Sequence, residues 1–175
     1  MAFLEILKYP ESRLFEPSKT ISEINGDLQH QIDEMINTLY FSRGLGLAAP
    51  QVGDLRSFFV YDLSGSEDAK EGRQGPVIVI NPEIIETEGE EIADEGCLSI
   101  PGYFEKVKRA YRVLMKGLDR EGKEIRIEAE GLAARLFQHE IDHIKGVLML
   151  DHLSSLKRDV FLRKFKKQLK QAETD

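Results

Sequence analysis

The segment HEIDH at positions 139–143 constrains this chain more than any other part of its sequence. It lies in a helical pattern, and an i, i+4 spacing within a helix points both imidazoles at one metal ion. Leu132 and Leu136 share one helical face with His139 and His143, because all four recur at spacings of three and four residues. The pattern predicts a metal-bearing helix, and the alternative is two surface histidines on a charged helix.

Two histidines do not complete a catalytic metal site, which normally has three protein ligands and one open position. The spacing of the metzincin proteases would put the third ligand at position 149, where this chain has Met149. The other candidates are Asp151, His152, Asp159 and Glu173 downstream, and Cys97 upstream. We interpret His152 as a structural histidine rather than a ligand.

Cys97 is the one thiol of the chain, and a thiolate beside two imidazoles suits zinc or ferrous iron. A lone cysteine can also be a small buried hydrophobic residue. A third interpretation makes Cys97 a nucleophile with His139 as its base, but it leaves Glu140 and His143 without roles. The missing third ligand favours coordination.

The segment GLGLAAPQ at 44–51 superficially matches the G-x-G-x-x-G/A pattern of dinucleotide-binding loops. That pattern needs a strand before it and a helix after it, whereas this segment follows a helical pattern and continues into Pro50. We therefore predict a tight turn, or a close approach of the backbone to another group. The side-chain amide of Gln51 could donate to a developing oxyanion.

The remaining chain divides into helical and extended patterns. Helices are predicted at 22–40, from 131 to about 146 and at 153–171, and strands at 58–63, 77–80, 112–118 and 124–130. Asn81 and Pro82 should end the second strand, and 119–122 should join the last two as a hairpin. The acidic stretch 83–95 is interpreted as a solvated edge without chemistry.

Length and charge limit the class of protein. A chain of 175 residues predicts one domain, 1–175, and a net charge of -7 argues against a DNA-binding surface. A single cysteine excludes an internal disulfide, and because no pattern typical of an export signal or of a membrane-spanning run is found, we expect neither. We expect a protein of a reducing cytoplasm with no membrane partner, although a processed organellar protein would look the same.

Three segments, GLGLAAPQ, EGCLS and QHEIDH, resemble in this order the three signature motifs of the peptide deformylase family. The resemblance extends from LKYP at 7–10 to the last helix. It implies an α+β fold, with antiparallel β-sheets around a central metal-binding helix, an N-terminal helix and a C-terminal amphipathic helix. It also implies hydrolysis of the formyl group from N-terminal formylmethionine of new polypeptides, with release of formate.

The resemblance also implies the roles of individual residues. One divalent metal, expected to be Fe²⁺ with Zn²⁺, Ni²⁺ or Co²⁺ as substitutes, would be held by Cys97, His139 and His143. A metal-activated water would attack the formyl carbonyl, with Glu140 as general acid and base. Gln51 and the backbone N–H of Leu98 would form the oxyanion hole.

The resemblance further implies that the substrate binds as an added strand, so we expect it to pair with backbone groups near Leu45, Gly46 and Gly96. For the methionine side chain we predict an apolar pocket of Leu45, Leu132 and Leu136. The basic helix at 153–171 resembles that of family members thought to dock on the ribosome, and a merely solvated helix is the alternative.

Two other functions compete with this interpretation. A zinc peptidase could use the same helix, but Met149 stands at its expected third ligand. A binding protein stabilised by a metal could have lost activity, but such a chain would be expected to lose Glu140 or Gln51, and both are present.

Overall fold

The computed structural model describes residues 3–66 and 75–174. The helices are α1 (Gly26–Ser42), α2 (Gly131–Ile144) and α3 (Ser155–Thr174), and short 3₁₀ turns cover Ser12–Phe15, Ala49–Val52 and Met149–His152. The strands are β1 (Gly46–Ala48), β2 (Phe58–Tyr61), β3 (Val77–Glu88), β4 (Glu91–Cys97), β5 (Ile100–Arg109), β6 (Arg112–Leu118) and β7 (Glu124–Glu130). Most of the polar connection between β2 and β3, residues 67–74, lies outside the described residues.

The strands form two antiparallel sheets, which confirms the predicted α+β fold. The larger sheet has the order β1-β2-β3-β6-β7, and β4 pairs with β5 in a separate two-stranded sheet. The predicted hairpin is confirmed, since β6 and β7 pair from Arg112–Glu130 to Leu118–Glu124. The sequence pattern did not predict the pairing of β4 with β5.

The larger sheet lies between α1 and α2 because successive side chains of a strand point to opposite faces. In β2, Phe58 and Val60 join the apolar cluster around α1, and Phe59 and Tyr61 join the cluster around α2. All four are buried. The metal-motif helix is thus packed against one face of a rigid sheet, as the predicted central helix requires.

The helix predicted at 22–40 begins later, at Gly26, because Asn25 caps it: the Asn25 side chain accepts a hydrogen bond of 3.0 Å from the backbone N–H of Leu28. The helix ends at Ser42, and Arg43 after it has a left-handed φ of 59°. From there the chain passes directly into β1. The position of β1 is therefore set by the end of α1.

The prediction that Asn81 and Pro82 end a strand is wrong, because β3 continues to Glu88. A shift of register between Ile80 and Glu83 accommodates the proline in a bulge, where no ladder N–H is needed. Asn81, at φ 51°, bonds through its side chain to the backbone N–H and C=O of Ile21, both at 2.9 Å. The side-chain bonds compensate for the interrupted ladder.

The C-terminal helix α3 covers the predicted stretch with its start shifted to Ser155. Of its apolar residues only Phe161 is buried among the described side chains, and its ring contacts those of Tyr9 and Tyr103 at 5.5 and 4.6 Å. Leu156 and Val160 stay exposed. None of the helices in the described part of the chain is both long and apolar enough to cross a membrane.

Candidate active site

The two sheets and α2 bring together three side chains that can hold a metal. Helix α2 places the Nε2 atoms of His139 and His143 3.2 Å apart, and the end of β4 places the Cys97 Sγ 3.3 Å from the His143 Nε2. The ligand atoms of all three lie within 4.8 Å of one another. Met149 and His152 are not in this cluster. Among the described residues, the sequence candidate that completes the set is Cys97.

The charges around Cys97 favour the thiolate that a metal needs. Burial opposes ionisation of the thiol, but His143 and His139 beside it hold the pKa of Cys97 well below its ordinary value. A thiolate with two imidazoles is a donor set that zinc and ferrous iron accept. The residues present therefore fit a single divalent cation.

A carboxylate orients the first histidine. The Nδ1 of His139 lies 3.2 Å from Glu95 Oε1, and because an ionised carboxylate only accepts, Nδ1 carries the proton. With Nδ1 fixed on Glu95, the nitrogen of His139 that faces His143 is Nε2, which would coordinate a metal once it has lost its proton. Burial opposes ionisation of Glu95, but its hydrogen bond with His139 and the charge of Arg109 lower its pKa to about 2.

Arg109 extends this contact away from the metal cluster. Its guanidinium donates to both oxygens of Glu95, at 3.2 and 2.9 Å. It also donates to Asp142, which lies on α2 three residues after His139. The Asp142 carboxylate also lies 2.7 Å from His152 Nε2. Burial raises the pKa of Asp142, but the bond with His152 and the charge of Arg109 lower it overall. His152 therefore has the structural partners that we predicted for it.

The interpretation of 83–95 as solvated and without chemistry is wrong at Glu95. Most acidic side chains of the stretch are exposed, whereas Glu95 is only 6% exposed and ion-paired. The sequence signal was its position two residues before Cys97, inside EGCLS. Arg109 carried no such signal, because its partners come from β4 and α2.

Glu140 lies beside the metal cluster and in close contact with the backbone of Gly46. A Cβ at Gly46 would lie 2.9 Å from Glu140 Oε1, so β1 approaches the carboxylate by lacking a side chain there. Within the described part of the chain, the buried Glu140 Oε2 has no hydrogen-bond partner. Burial raises the pKa of Glu140 above its ordinary value. This carboxyl group can hold or release a proton nearer to neutrality than an exposed one.

Gln51 is fixed with its amide NH₂ toward the cluster. Its Oε1 accepts a hydrogen bond of 2.9 Å from the backbone N–H of Ala48, which identifies the other terminal atom as Nε2. That Nε2 lies 3.1 Å from Ser99 Oγ and 3.7 Å from Cys97 Sγ. A 3₁₀ turn over Ala49–Val52 holds the side chain, which is buried.

The GLGLAAPQ segment has the close approaches that we predicted. The tight-turn prediction is wrong at Gly46, which begins β1 instead. A Cβ at Gly44 would lie 2.7 Å from Leu98 Cδ1, so both glycines admit a neighbouring group. The segment does not join a strand to a helix as a dinucleotide loop would, because it follows α1 and the 3₁₀ turn at its end leads to β2.

A cavity of about 610 Å³ opens onto these groups. Apart from His143, which lies behind it, the cavity is lined by every residue predicted for the site: Leu45, Gly46, Gln51, Gly96, Cys97, Leu98, Leu132, Leu136, His139 and Glu140. Arg43, Arg135 and Phe104 also line it, and no motif in the sequence identified them. Arg135 is anchored by hydrogen bonds to the carbonyls of Val107 and Glu91 at 2.7 and 2.8 Å.

An antiparallel α+β fold that brings a Cys-His-His cluster and a buried glutamate to one cavity has the arrangement that a metal-dependent hydrolase requires. The family model described as polypeptide deformylase matches residues 3–159. The chain therefore belongs to the peptide deformylase family.

Individual relatives agree along nearly the whole chain. A peptide deformylase of Thermodesulfovibrio yellowstonii is 55% identical over 166 residues, which cover 95% of this chain and 98% of that protein. The crystal structure of a peptide deformylase from Legionella pneumophila has a TM-score of 0.88 at 40% identity and covers 99% of both chains. The peptide deformylase of Ehrlichia chaffeensis in complex with actinonin has a TM-score of 0.87 at 37% identity, with coverage of 96% and 98%.

Proposed function

We propose that the chain hydrolyses the N-formyl group from the N-terminal formylmethionine of newly synthesised polypeptides and releases formate. Cys97, His139 and His143 would hold one divalent metal ion for this reaction. The observation that carries the proposal is their cluster, with ligand atoms within 4.8 Å of one another, on a cavity that Glu140 also lines. When bound, the metal supplies Lewis-acid polarisation of the formyl carbonyl and lowers the pKa of a water.

Glu140 moves the proton in this mechanism. Its carboxylate accepts a proton from the attacking water as the oxygen bonds to the formyl carbon. It then delivers that proton to the methionine nitrogen as the C–N bond breaks. Burial raises the pKa of Glu140, so the group is suited to both steps near neutral pH.

Gln51 and the backbone N–H of Leu98 stabilise the oxyanion that develops on the formyl oxygen. The Gln51 amide is oriented before substrate arrives, because Ala48 holds its oxygen at 2.9 Å. Donors fixed in this way need no reorganisation during the reaction. Leu98 immediately follows Cys97, so its N–H lies next to the metal ligand.

The methionine side chain occupies the apolar part of the cavity, formed by Leu45, Leu132 and Leu136. Its backbone pairs with the chain near Gly46 and Gly96. Strand β1 pairs with β2 at the end of the larger sheet, so its outer edge offers main-chain groups to an extended peptide. The unpaired edge of β1 and the apolar pocket together favour an extended peptide that has methionine as its first residue.

Formate release tests this function. Protein loaded anaerobically with Fe²⁺ is expected to release formate from a formyl-Met-Ala-Ser peptide, and removal of the metal by a chelator is expected to abolish the release. Loading with Zn²⁺, Ni²⁺ or Co²⁺ in separate samples compares the metals. Cleavage of internal peptide bonds without formate would instead indicate a peptidase, and absence of both activities with bound metal would indicate a binding protein.

We further propose that the whole chain, 1–175, acts as one catalytic domain in the bacterial cytoplasm and contacts the ribosome through α3. Arg163, Lys167 and Lys170 lie on one exposed side of that helix, where they can meet RNA phosphates. Reversal of all three charges to Glu is expected to reduce cosedimentation with ribosomes about tenfold or more in low salt. Unchanged cosedimentation, at unchanged activity on short peptides, would assign α3 a purely structural role.

A further inference from the structure

A second cavity, of about 580 Å³, lies between α3 and the beginning of β5. Its aromatic lining includes Tyr9, Tyr103, Phe161 and Phe165, whose rings contact one another at centroid distances from 4.6 to 5.9 Å. Val160, 42% exposed, and Leu156, 73% exposed, extend the apolar lining to the surface. We call this cavity the α3 groove.

The α3 groove adjoins the active-site cavity. Four residues line both cavities: Lys8, Pro101, Gly102 and Phe104. The ridge between them is a bulge, because the pairing of β4 with β5 passes from Gly96–Phe104 directly to Cys97–Ile100 and leaves 101–103 without partners on β4. Gly102 has a φ of 77°, and a Cβ there would meet open space. The ridge therefore has no side chain at Gly102 to block passage.

The rim of the groove is basic. Lys8, Lys157 and Lys164 line it, and the one acidic residue of the lining, Glu105, is paired with Lys157 at 3.2 Å. Lys8 bonds through its ammonium group to the carbonyl of Leu98 at 3.1 Å. The groove therefore combines an apolar aromatic floor with an excess of positive charge on an acidic protein.

We propose that the α3 groove binds downstream residues of the same polypeptide whose formylated N-terminus occupies the active-site cavity, and that it favours apolar and acidic side chains there. This inference depends on the proposed function, since it assigns a longer substrate to the same site. A polypeptide substrate continues beyond the residues that the active-site cavity encloses. Each further residue lengthens an extended chain by at most about 3.3 Å. The wall that the two cavities share at Gly102 and the basic rim favour that downstream segment as the occupant.

The test compares KM values for a formyl-methionyl tripeptide and for octapeptides extended from it. The octapeptide with apolar and Asp residues at positions five to eight is expected to have a KM about fivefold lower than the tripeptide, an effect of the size that burial of one or two methylene groups gives. In Lys164→Glu, the octapeptide with Asp is expected to lose its lower KM relative to the tripeptide. An octapeptide with Lys in place of Asp is expected to have the lower KM instead. Lys166→Glu is the matched control, because 3.6 residues per turn place Lys166 about 200° around α3 from Lys164.

Equal KM values for tripeptide and octapeptide in the parent protein would overturn the proposal. Equal loss of the advantage in both variants would also overturn it, since general charge attraction would then explain the preference. A change of oligomeric state in Lys164→Glu, with the advantage retained, would assign the groove to a second copy of the chain.

A binding measurement separates this inference from the proposed function. On titration with the unformylated octapeptide, the backbone amide NMR signals of Val160 and Lys164 are expected to shift, and the tripeptide is expected to leave them in place. If no peptide yields formate, the proposed function fails while these signals still decide the groove. Signals that stay in place with the octapeptide would reject the groove even in an active enzyme.

Discussion

Glu140→Gln is expected to lower kcat for formate release by about a thousandfold, because loss of a positioned general acid and base typically costs 10²–10⁴-fold. The amide has almost the same shape as the carboxyl group but cannot accept the proton of the attacking water. Gln51→Leu, measured in the same assay, is expected to lower kcat about a hundredfold, since it removes one oxyanion donor and leaves proton transfer intact. The ratio of the two losses distinguishes the two roles.

The control for Glu140→Gln is its metal content and stability. The three ligand residues are unchanged, so the variant should bind one metal per chain as the parent does. The buried Glu140 Oε2 has no partner among the described residues, so the substitution should not lower the free energy of unfolding. Activity within tenfold of the parent, with metal bound, would remove Glu140 from the chemistry.

The pH profile gives a second measurement of the same role. Glu140 must be deprotonated to accept a proton, and burial raises its pKa. The acidic limb of kcat/KM should therefore lie above the ordinary pKa of 4.5 for a glutamate, and activity should rise as the pH increases through that limb. In Glu140→Gln this limb should disappear from the residual activity.

The sequence predicts those parts of the site that depend on spacing within one element. His139 and His143 face one point because α2 has 3.6 residues per turn, and the spacing of the two histidines along the chain is enough to predict this. Leu132 and Leu136 follow from the same periodicity, and both line the cavity. Spacing alone did not decide which residue is the third metal ligand, because Cys97 lies 42 residues from His139 and on another element.

The parts that the sequence did not predict depend on contacts between distant elements. Pairing of β4 with β5 sets Arg109 opposite Glu91, and the Arg109 side chain reaches Glu95, which is 14 residues away along the chain. Neither strand has clean alternation, because charged residues occupy much of both. The bulge at Asn81 and Pro82 was missed for a similar reason, since its side-chain bonds go to Ile21, 60 residues away.

Glu95→Gln is expected to lower the free energy of unfolding by about 3 kcal/mol, because breaking one partner of a buried ion pair leaves a charge poorly compensated. Glu95 and Arg109 side chains are only 5% and 4% exposed. The variant should also bind the metal roughly 10- to 100-fold more weakly, since the carboxylate at His139 Nδ1 orients that ligand. Denaturant unfolding and metal titration measure the two effects separately.

The matched control is Glu88→Gln. It removes the same carboxylate charge from the ion pair of Glu88 with Arg112. Glu88 is 73% exposed and its distance to Arg112 is 3.2 Å. Exposed pairs contribute about 0–1 kcal/mol, so this variant should unfold nearly as the parent does. Equal destabilisation by the two substitutions would show that Glu95 has no special structural role.

The pH dependence of stability follows from the lowered pKa of Glu95. Its carboxylate titrates at about 2 in the folded protein, against the ordinary value of 4.5. A lowered pKa stabilises the fold above the unfolded-state value, and this contribution is lost as the pH falls from about 4.5 through about 2. The difference corresponds to roughly 3 kcal/mol. Glu95→Gln should therefore show a weaker loss of stability between these pH values, and an unchanged acid limb would assign that loss to other carboxylates.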